Sequence, residues 1–462
     1  MPTLAEQFRP FAERMRQAGR HEAEIATFEA YYRQLVAGQT GLIAEEDIAP
    51  IEALPDAETF SANLADTGQA MFAKTILLKL NGGLGTSMGM ERAKSLLPVK
   101  DGLSFLDIIA HQAVRAGTPL VLMNSEHTDA DSLAALQRYP DLHRKDIPLS
   151  FQQSIFPKIT QADLQPVDWP ENRQLEWYPP GHGNIYLSLI ISGMLDQLIA
   201  AGYEYAFISN ADNLGAVIDP LILGYFATHQ YPFMMEVADR TEADKKGGHL
   251  ARRTADGRLV LRESAQCPEA EMDVFQDINR YKYFNTNNIW LNLPGLRDMV
   301  AAGNNAVPTL PLIRNPKTVD PRNSASTPVY QLETAMGAAI VIFEGAQAIR
   351  VPRTRFAPVK TTSDLLAVRS DTYRLTEEYH IVPDPGDVLV DLDGKYYKLI
   401  DAMEARFPAG PPSLRDCRSL RVKGDVRFGA AVKLEGHVQL VNSSEGQAEV
   451  ASGSVLAGEQ RF

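Results

Sequence analysis

Between Leu80 and Lys100 the chain reads LNGGLGTSMGMERAKSLLPVK, a glycine-rich stretch whose first basic residue is Arg92. Three chemistries compete for it. Gly83, Gly85 and Gly89 read G-x-G-x-x-x-G, one residue longer than the dinucleotide fingerprint, in which a helix opens at the third glycine. Pro98 interrupts such a helix, so an NAD site is not expected. Gly85-Thr86-Ser87-Met88-Gly89 also matches the G-x-S-x-G nucleophile elbow, a motif that sets its serine on a sharp turn directly between strand and helix. Ser87 instead lies seven residues beyond Leu80, with no HGGG-type oxyanion segment upstream. The G-K-[ST] ending of a Walker loop is absent. What remains is a loop whose glycines let backbone N–H groups approach a phosphate or a base edge. Lys94 brings positive charge only afterwards, an arrangement that fits nucleotidyl transfer.

A second group, Asn210-Ala211-Asp212, follows the apolar run YAFIS directly. Open α/β sheets bind ligands at the carboxyl ends of their strands. A lone hard carboxylate there suits Mg²⁺, which fills its other positions with phosphate and water. Asp212 beside Asn213 also fits a turn, the lesser reading. Lys360, in PVKTTSDL, stands beside Thr361, Thr362 and Asp364, which also form a helix-capping pattern. There is no H-E-x-x-H segment, and Cys267 and Cys417 alone supply neither a disulfide framework nor a four-cysteine zinc site.

These residues need elements to position them. TILLKL precedes the glycine loop as a strand, and SFLDIIAHQAVRAG reads as a helix with Ser104 and Asp107 in a capping box. PLVLMNS, YAFISN and PFMMEV read as further strands; IYLSLIISGMLDQLIAAG and DPLILGYFATHQ read as helices between them. The alternation argues for a mainly parallel sheet with helices on both faces. Ahead of it, QFRPFAERMRQAG and EAEIATFEAYYRQLVAG space apolar residues as helices ending at Gly19 and Gly38, and EEDIAPIEALPDAETF reads as a linker. The tail carries a period of six: Val422, Phe428, Leu434 and Leu440; Val426, Val432 and Val438; and the small or turn-prone Gly424, Ala430, Gly436 and Asn442. Hexapeptide repetition predicts a parallel β-helix, and the repeat fades after Asn442 although Val450 and Leu456 keep its phase. A net charge of -13 argues against a nucleic-acid partner. The N-terminus lacks a secretory signal and no apolar run reaches the roughly 18 residues of a span, so the expectation is a cytoplasmic protein with no membrane partner.

LNGGLGTSMG with Lys94 resembles the signature of eukaryotic-type UDP-glucose pyrophosphorylases, and so do QQSIFPKI, WYPPGHGNIY, ISNADNLGA, MEVADRTEADKKGGHL, YFNTNNIWLNL, YQLETAMGAAI and VPRTRFAPVKTTSDLL. The resemblance runs in the family's order over roughly residues 70 to 375. Related UDP-N-acetylhexosamine and broad-range UDP-sugar enzymes carry an arginine after the glycines. Thr86-Ser87-Met88 favours glucose 1-phosphate over those alternatives. The resemblance implies an α/β fold: a helical segment and linker at 1–69, a Rossmann-like, mixed-sheet (GT-A-like) nucleotidyltransferase domain at 70–380, and a β-helix at 381–462. It implies UTP and glucose 1-phosphate as substrates, Mg²⁺ as cofactor, and a monomer or a homo-oligomer assembled through the C-terminal domain. Lys94 and Lys360 are the implied catalytic cations, with Lys360 contacting both substrates' phosphates, and Asp212 is the implied metal ligand. UTP would be held by Leu80, Asn81, Gly82, Gly83, Gln153 and Gly181 as well, and the sugar phosphate by His182, Asn210 and Asn287. Three positions depart from the family: Asn184 stands where an Asp is usual, Ala211 where an Ile is usual, and Lys245-Lys246 replaces Val-Lys before Gly247-Gly248. Retention of Lys94, Asp212 and Lys360 together argues against a catalytically silent scaffold that merely keeps the fold.

Overall fold

The computed structural model describes residues 3–144, 146–303, 307–384 and 388–462; of Ser87 only the backbone is described. Among the described residues ten strands form the central sheet: β1 Ile48–Ala49, β2 Thr75–Asn81, β3 Leu120–Asn124, β4 Ser150–Gln152, β5 Tyr205–Asn210, β6 Phe233–Asp239, β7 His249–Arg253, β8 Leu259–Arg262, β9 Tyr283–Asn292 and β10 Gln347–Arg350. The main path runs β1-β7-β9-β5-β2-β3-β4. β5, β2, β3 and β4 are mutually parallel, whereas β9 runs antiparallel to β5, β6 and β7. The sheet is therefore mixed rather than mainly parallel. The ten residues of β9 let it pair with β6 along its length and with β5 and β7 at its two ends. The linker also contributes, since β1 closes the edge against β7.

Alternate residues of the central strands feed two separate cores, as the two-residue pleat requires. Leu77, Phe207 and Trp290 pack on one face; Ile76, Leu78, Ile208 and Ile289 pack on the other. With both faces covered, β2 is apolar nearly throughout and buries even Lys79.

The helix Phe105–Ala116 begins with the expected reciprocal capping bonds of Ser104 and Asp107. The long helix expected over residues 185–202 is instead two, Ile185–Ile191 and Met194–Ala200, bent by 67°. Gly193 at the break takes a left-handed conformation (φ +73), which ends the first helix. No single described helix is long and apolar enough to cross a membrane. Helices Leu4–Gln17 and Glu22–Val36 are capped by Thr3 and His21 and end near the left-handed Gly19 and Gly38. Their aromatic seam of Phe8, Phe11, Phe28 and Tyr32 packs onto the main body through Phe28 and Phe156, 5.0 Å apart.

The tail forms β11 Leu389–Leu392, β12 Ser413–Lys423, β13 Val426–Phe428, β14 Lys433–Val441, β15 Ala448–Val450 and β16 Val455–Arg461. β11-β12-β14-β16 is a parallel sheet and β13-β15 a second. Leu420 pairs with Val438 and Val422 with Leu440, eighteen residues apart, so three hexapeptides make one circuit. The next circuit is longer, Phe428 pairing with Val450, because the chain makes a loop over residues 443–447. The repeat is thus interrupted after Asn442 rather than ended.

Candidate active site

The register of the parallel strands brings their carboxyl ends level: Asn210 lies opposite Leu80, Asn81 opposite Asn124, and Asn124 opposite Gln152. The loops that follow open onto one cleft of about 520 Å³. Leu80, Asn81, Gly82, Gly83, Lys94, Gln153, Gly181, His182, Asn210 and Asp212 all line it. Ten of the residues singled out from sequence therefore meet, although they come from four separate stretches of chain. Asn81 spends its side-chain amide inside the fold, donating to Asn124 Oδ1 at 2.7 Å and Ser132 Oγ at 2.8 Å. No helix opens at Gly89; Thr86–Met88 is a single 3₁₀ turn between left-handed Gly85 and Gly89, and Lys94–Leu96 is a second such turn further on. That geometry matches neither a dinucleotide fold nor a strand-to-helix elbow. The Ser87 side chain lies outside the described residues.

Lys94 Nζ donates to Asp212 Oδ2 at 2.7 Å, across the cleft from strand β2's loop to the end of β5. The second carboxylate oxygen, Oδ1, is buried with no hydrogen-bond partner. An orphaned carboxylate oxygen is costly unless a cation or donor meets it. Asp212 thus fits a divalent ion, and no cluster of three or more His, Cys, Asp or Glu exists among the described residues to hold one without substrate. Beneath the pair lies Lys79, fully buried, donating to Ser209 Oγ at 2.7 Å and the Ala216 carbonyl at 2.9 Å. Burial, aided by the Arg355 guanidinium, pulls its pKa down to about 7, while Asp212 and Glu236 pull the other way. Lys79 was hidden in TILLKL; its signal was a charged residue inside an otherwise unbroken apolar strand.

At the opposite wall, Gly181 has φ +79, and a Cβ there would stand 2.5 Å from the Thr334 carbonyl oxygen, so both conformation and space require glycine. His182 Nδ1 accepts a 2.8 Å hydrogen bond from the Met336 N–H, which assigns the ring proton to Nε2. Burial, and secondarily the charge of Lys360, lowers its pKa to about 4. The ring is therefore a neutral N–H donor at physiological pH. Gln153 presses Oε1 against Gly82, where any side chain would collide with it. Asn184 is buried and structural: its Oδ1 accepts from the Ser154 N–H at 2.8 Å and from Ser188 Oγ at 2.6 Å, fixing the residue after Gln153. Ala211 is buried, and its N–H bonds the Leu80 carbonyl at 3.1 Å.

Two expected residues stand off the wall of this cleft. Lys360 lines an adjoining cavity of about 570 Å³ with Lys246 and Arg353. The capping reading of its neighbourhood also holds, since Thr361 and Asp364 cap the helix Thr362–Arg369. Only the Lys360 backbone N–H contacts Asp364, at 2.9 Å. Its ammonium lies 5.8 Å from the Phe356 ring, and its field reaches His182 and Glu263. Lys245, by contrast, is a surface charge paired with Glu242. Asn287 sits next to a bulge of β9 with φ +58, and its Oδ1 accepts from Asn285 Nδ2 at 2.9 Å. Glu263, missed in the sequence, is half-buried beside Asn285, packs against Gly248 and has its carboxyl pKa raised by desolvation. It lies on the short strand-end LRES, with no motif to mark it.

A mixed α/β fold with a glycine-loop cleft at the carboxyl ends of its parallel strands, cations gathered around one carboxylate, defines a nucleotide-handling transferase. The family model described as UTP–glucose-1-phosphate uridylyltransferase matches residues 25–435. The chain belongs to that family of nucleotidyltransferases. It is 39% identical over 431 residues to the UTP–glucose-1-phosphate uridylyltransferase of Solanum tuberosum, covering 90% of this chain and 86% of the relative. It is 41% identical over 395 residues to that of Saccharomyces cerevisiae, covering 83% and 77%. Its fold is similar to a mutant UDP-glucose pyrophosphorylase from Leishmania major in complex with UDP-glucose, at 44% identity and a TM-score of 0.92 over 100% of both chains.

Proposed function

We propose that this chain converts UTP and glucose 1-phosphate to UDP-glucose and pyrophosphate by in-line attack of the sugar phosphate on the UTP α-phosphorus. The bond formed joins a sugar-phosphate oxygen to the α-phosphorus; the bond broken links that phosphorus to the bridging oxygen of the leaving pyrophosphate. The second pKa of a phosphate monoester is about 6, so the nucleophile is already an oxyanion at neutral pH and needs no general base. What the protein must supply is juxtaposition of two polyanions and stabilisation of charge on the phosphoryl group.

The Lys94–Asp212 pair facing the glycine loop carries this reading. When UTP enters, its phosphates compete for Lys94, and the loop backbone of Leu80, Gly82 and Gly83 with Gln153 and Gly181 holds the uracil end. Asp212 would hold Mg²⁺, which supplies Lewis-acid neutralisation of the phosphate oxygens. His182 offers a neutral Nε2–H to the sugar phosphate without adding a charge that would have to be desolvated. Lys360, on the wall of the second cavity, meets the phosphates of both substrates, and Asn210, Asn285, Asn287 and Glu263 offer hydroxyl partners for the sugar. We divide the chain as helical segment and linker 1–69, GT-A-like catalytic domain 70–380 and β-helix 381–462, acting as a monomer or as an oligomer built through the last. Two buried free thiols, Cys267 and Cys417, support a cytoplasmic setting.

The test is release of pyrophosphate from UTP and Mg²⁺ with a panel of sugar 1-phosphates. Glucose 1-phosphate should give the highest kcat/KM, and Lys360→Ala should lower turnover by about 100-fold. A variant as active as the parent would remove Lys360 from the mechanism, and preference for another sugar phosphate would overturn the substrate.

A further inference from the structure

We infer that Asn213 is a positioning residue for the reaction, its buried side-chain amide setting the separation of Asp212 and Lys360. The inference rests on the roles given above to those two residues. They are 148 positions apart in the chain, and nothing in the sheet itself fixes one against the other. Asn213, 1% exposed, makes the connection with all four hydrogen-bonding sites of its amide. Oδ1 accepts from the Gly215 N–H at 3.2 Å and the Ala357 N–H at 3.0 Å. Nδ2 donates to the Arg355 carbonyl at 3.1 Å and to Asn288 Oδ1 at 3.2 Å. Asn288 is itself oriented by donation from its Nδ2 to Glu236 Oε2 at 2.9 Å, so the assignment of oxygen and nitrogen in both amides is determined by chemistry.

One amide thus sutures the turn bearing Asp212 to the strap bearing Lys360. The seam continues on the backbone: the Val359 N–H donates to the Asp212 carbonyl at 3.2 Å, and Asn213 and Pro358 form an isolated antiparallel bridge. Gly215 brings the turn against the Thr354 carbonyl too closely for any side chain. Below, the Glu236 carboxylate grips Arg355 at 2.6 and 2.8 Å and anchors the strap to β6. Aspartate in place of Asn213 keeps two acceptor contacts and turns two donors into repulsion. Alanine removes the suture while leaving Asp212, Lys94 and Lys360 in place. A misplacement of about 1 Å between reacting groups costs on the order of 100-fold in rate.

The experiment is a double-mutant cycle of kcat with Asn213→Ala and Lys360→Ala, with KM for UTP and the thermal midpoint measured for each variant. The expected result is a fall in kcat of about 10- to 100-fold for Asn213→Ala, with KM for UTP unchanged because the uracil end is held elsewhere. The double variant should be no slower than Lys360→Ala alone, since Asn213 acts through a lysine already removed. Multiplicative losses would overturn the positioning role while leaving Lys360 its function. Full activity in Lys360→Ala would instead remove Lys360 from the reaction, and the role of Asn213 with it. Should Asn213→Ala not fold, Asn213→Ser enters the same cycle, and the same two outcomes decide.

Discussion

At the scale of single residues, the site is built from groups whose states are set by their surroundings. Asp212 has one oxygen on Lys94 and one with no partner, so Asp212→Asn should lower Mg²⁺-supported turnover by about two orders of magnitude. It should also shift the Mg²⁺ titration to higher concentration, as read by steady-state rates across a metal series. Gly181→Ala should cost about 1–3 kcal/mol, because the left-handed backbone and the Thr334 carbonyl both oppose a side chain. Urea unfolding measures that loss, and an unchanged midpoint would contradict the assignment. The glycine loop and Asp212 were legible as candidates from sequence position, and Gln153 and His182 through the blocks that resemble the family's. Lys79, Glu263 and Asn213 were not, because a buried lysine, an isolated glutamate and a turn asparagine acquire meaning only from what the fold packs against them.

At the scale of elements, β7 carries a buried histidine that has no part in the chemistry. His249 stacks on Tyr281 with ring centroids 3.8 Å apart, and burial first, then Arg240 and Arg262, lower its pKa to about 3. The unfolded chain binds this proton near pH 6.5 and the folded chain does not. The contribution is therefore fully present above pH 6.5 and declines as pH falls toward 3, by about 1.4 kcal/mol per pH unit. His249→Phe keeps the stack and removes the titration, so its stability should lose about 2 kcal/mol less than the parent's between pH 6.5 and 5. Denaturant midpoints at the two pH values decide it; parallel losses would refute it. Strand existence followed readily from apolar runs, but the helix over residues 185–202 did not read correctly. Its apolar periodicity crosses Gly193 without interruption, whereas the backbone there turns left-handed.

At the scale of the whole molecule, one hydrophobic cluster runs from Leu77, Phe207 and Trp290 of the central sheet to Val422, Phe428 and Val450 of the tail. The sheet and tail should therefore unfold together, giving a single calorimetric transition whose van 't Hoff and calorimetric enthalpies agree. Two resolved transitions, with the tail melting apart, would show that the shared core does not couple them.

What the sequence by itself determined is local: a glycine loop without charge, a carboxylate at a strand's end, capping boxes at Ser104 and Thr361, and a six-residue repeat in the tail. Each is written in neighbouring residues, where spacing translates directly into backbone geometry. Only the tertiary structure decided which strands run antiparallel, that β1 from the linker joins the sheet, and that the tail resumes its circuit after residues 443–447. It alone also decided that Lys94 reaches Asp212 and that Asn213 ties Asp212's turn to the strap of Lys360. Those facts depend on pairings between residues distant in the chain, from Phe428 with Val450 to Ile48 with Arg253, and such pairing is fixed by packing of the whole chain.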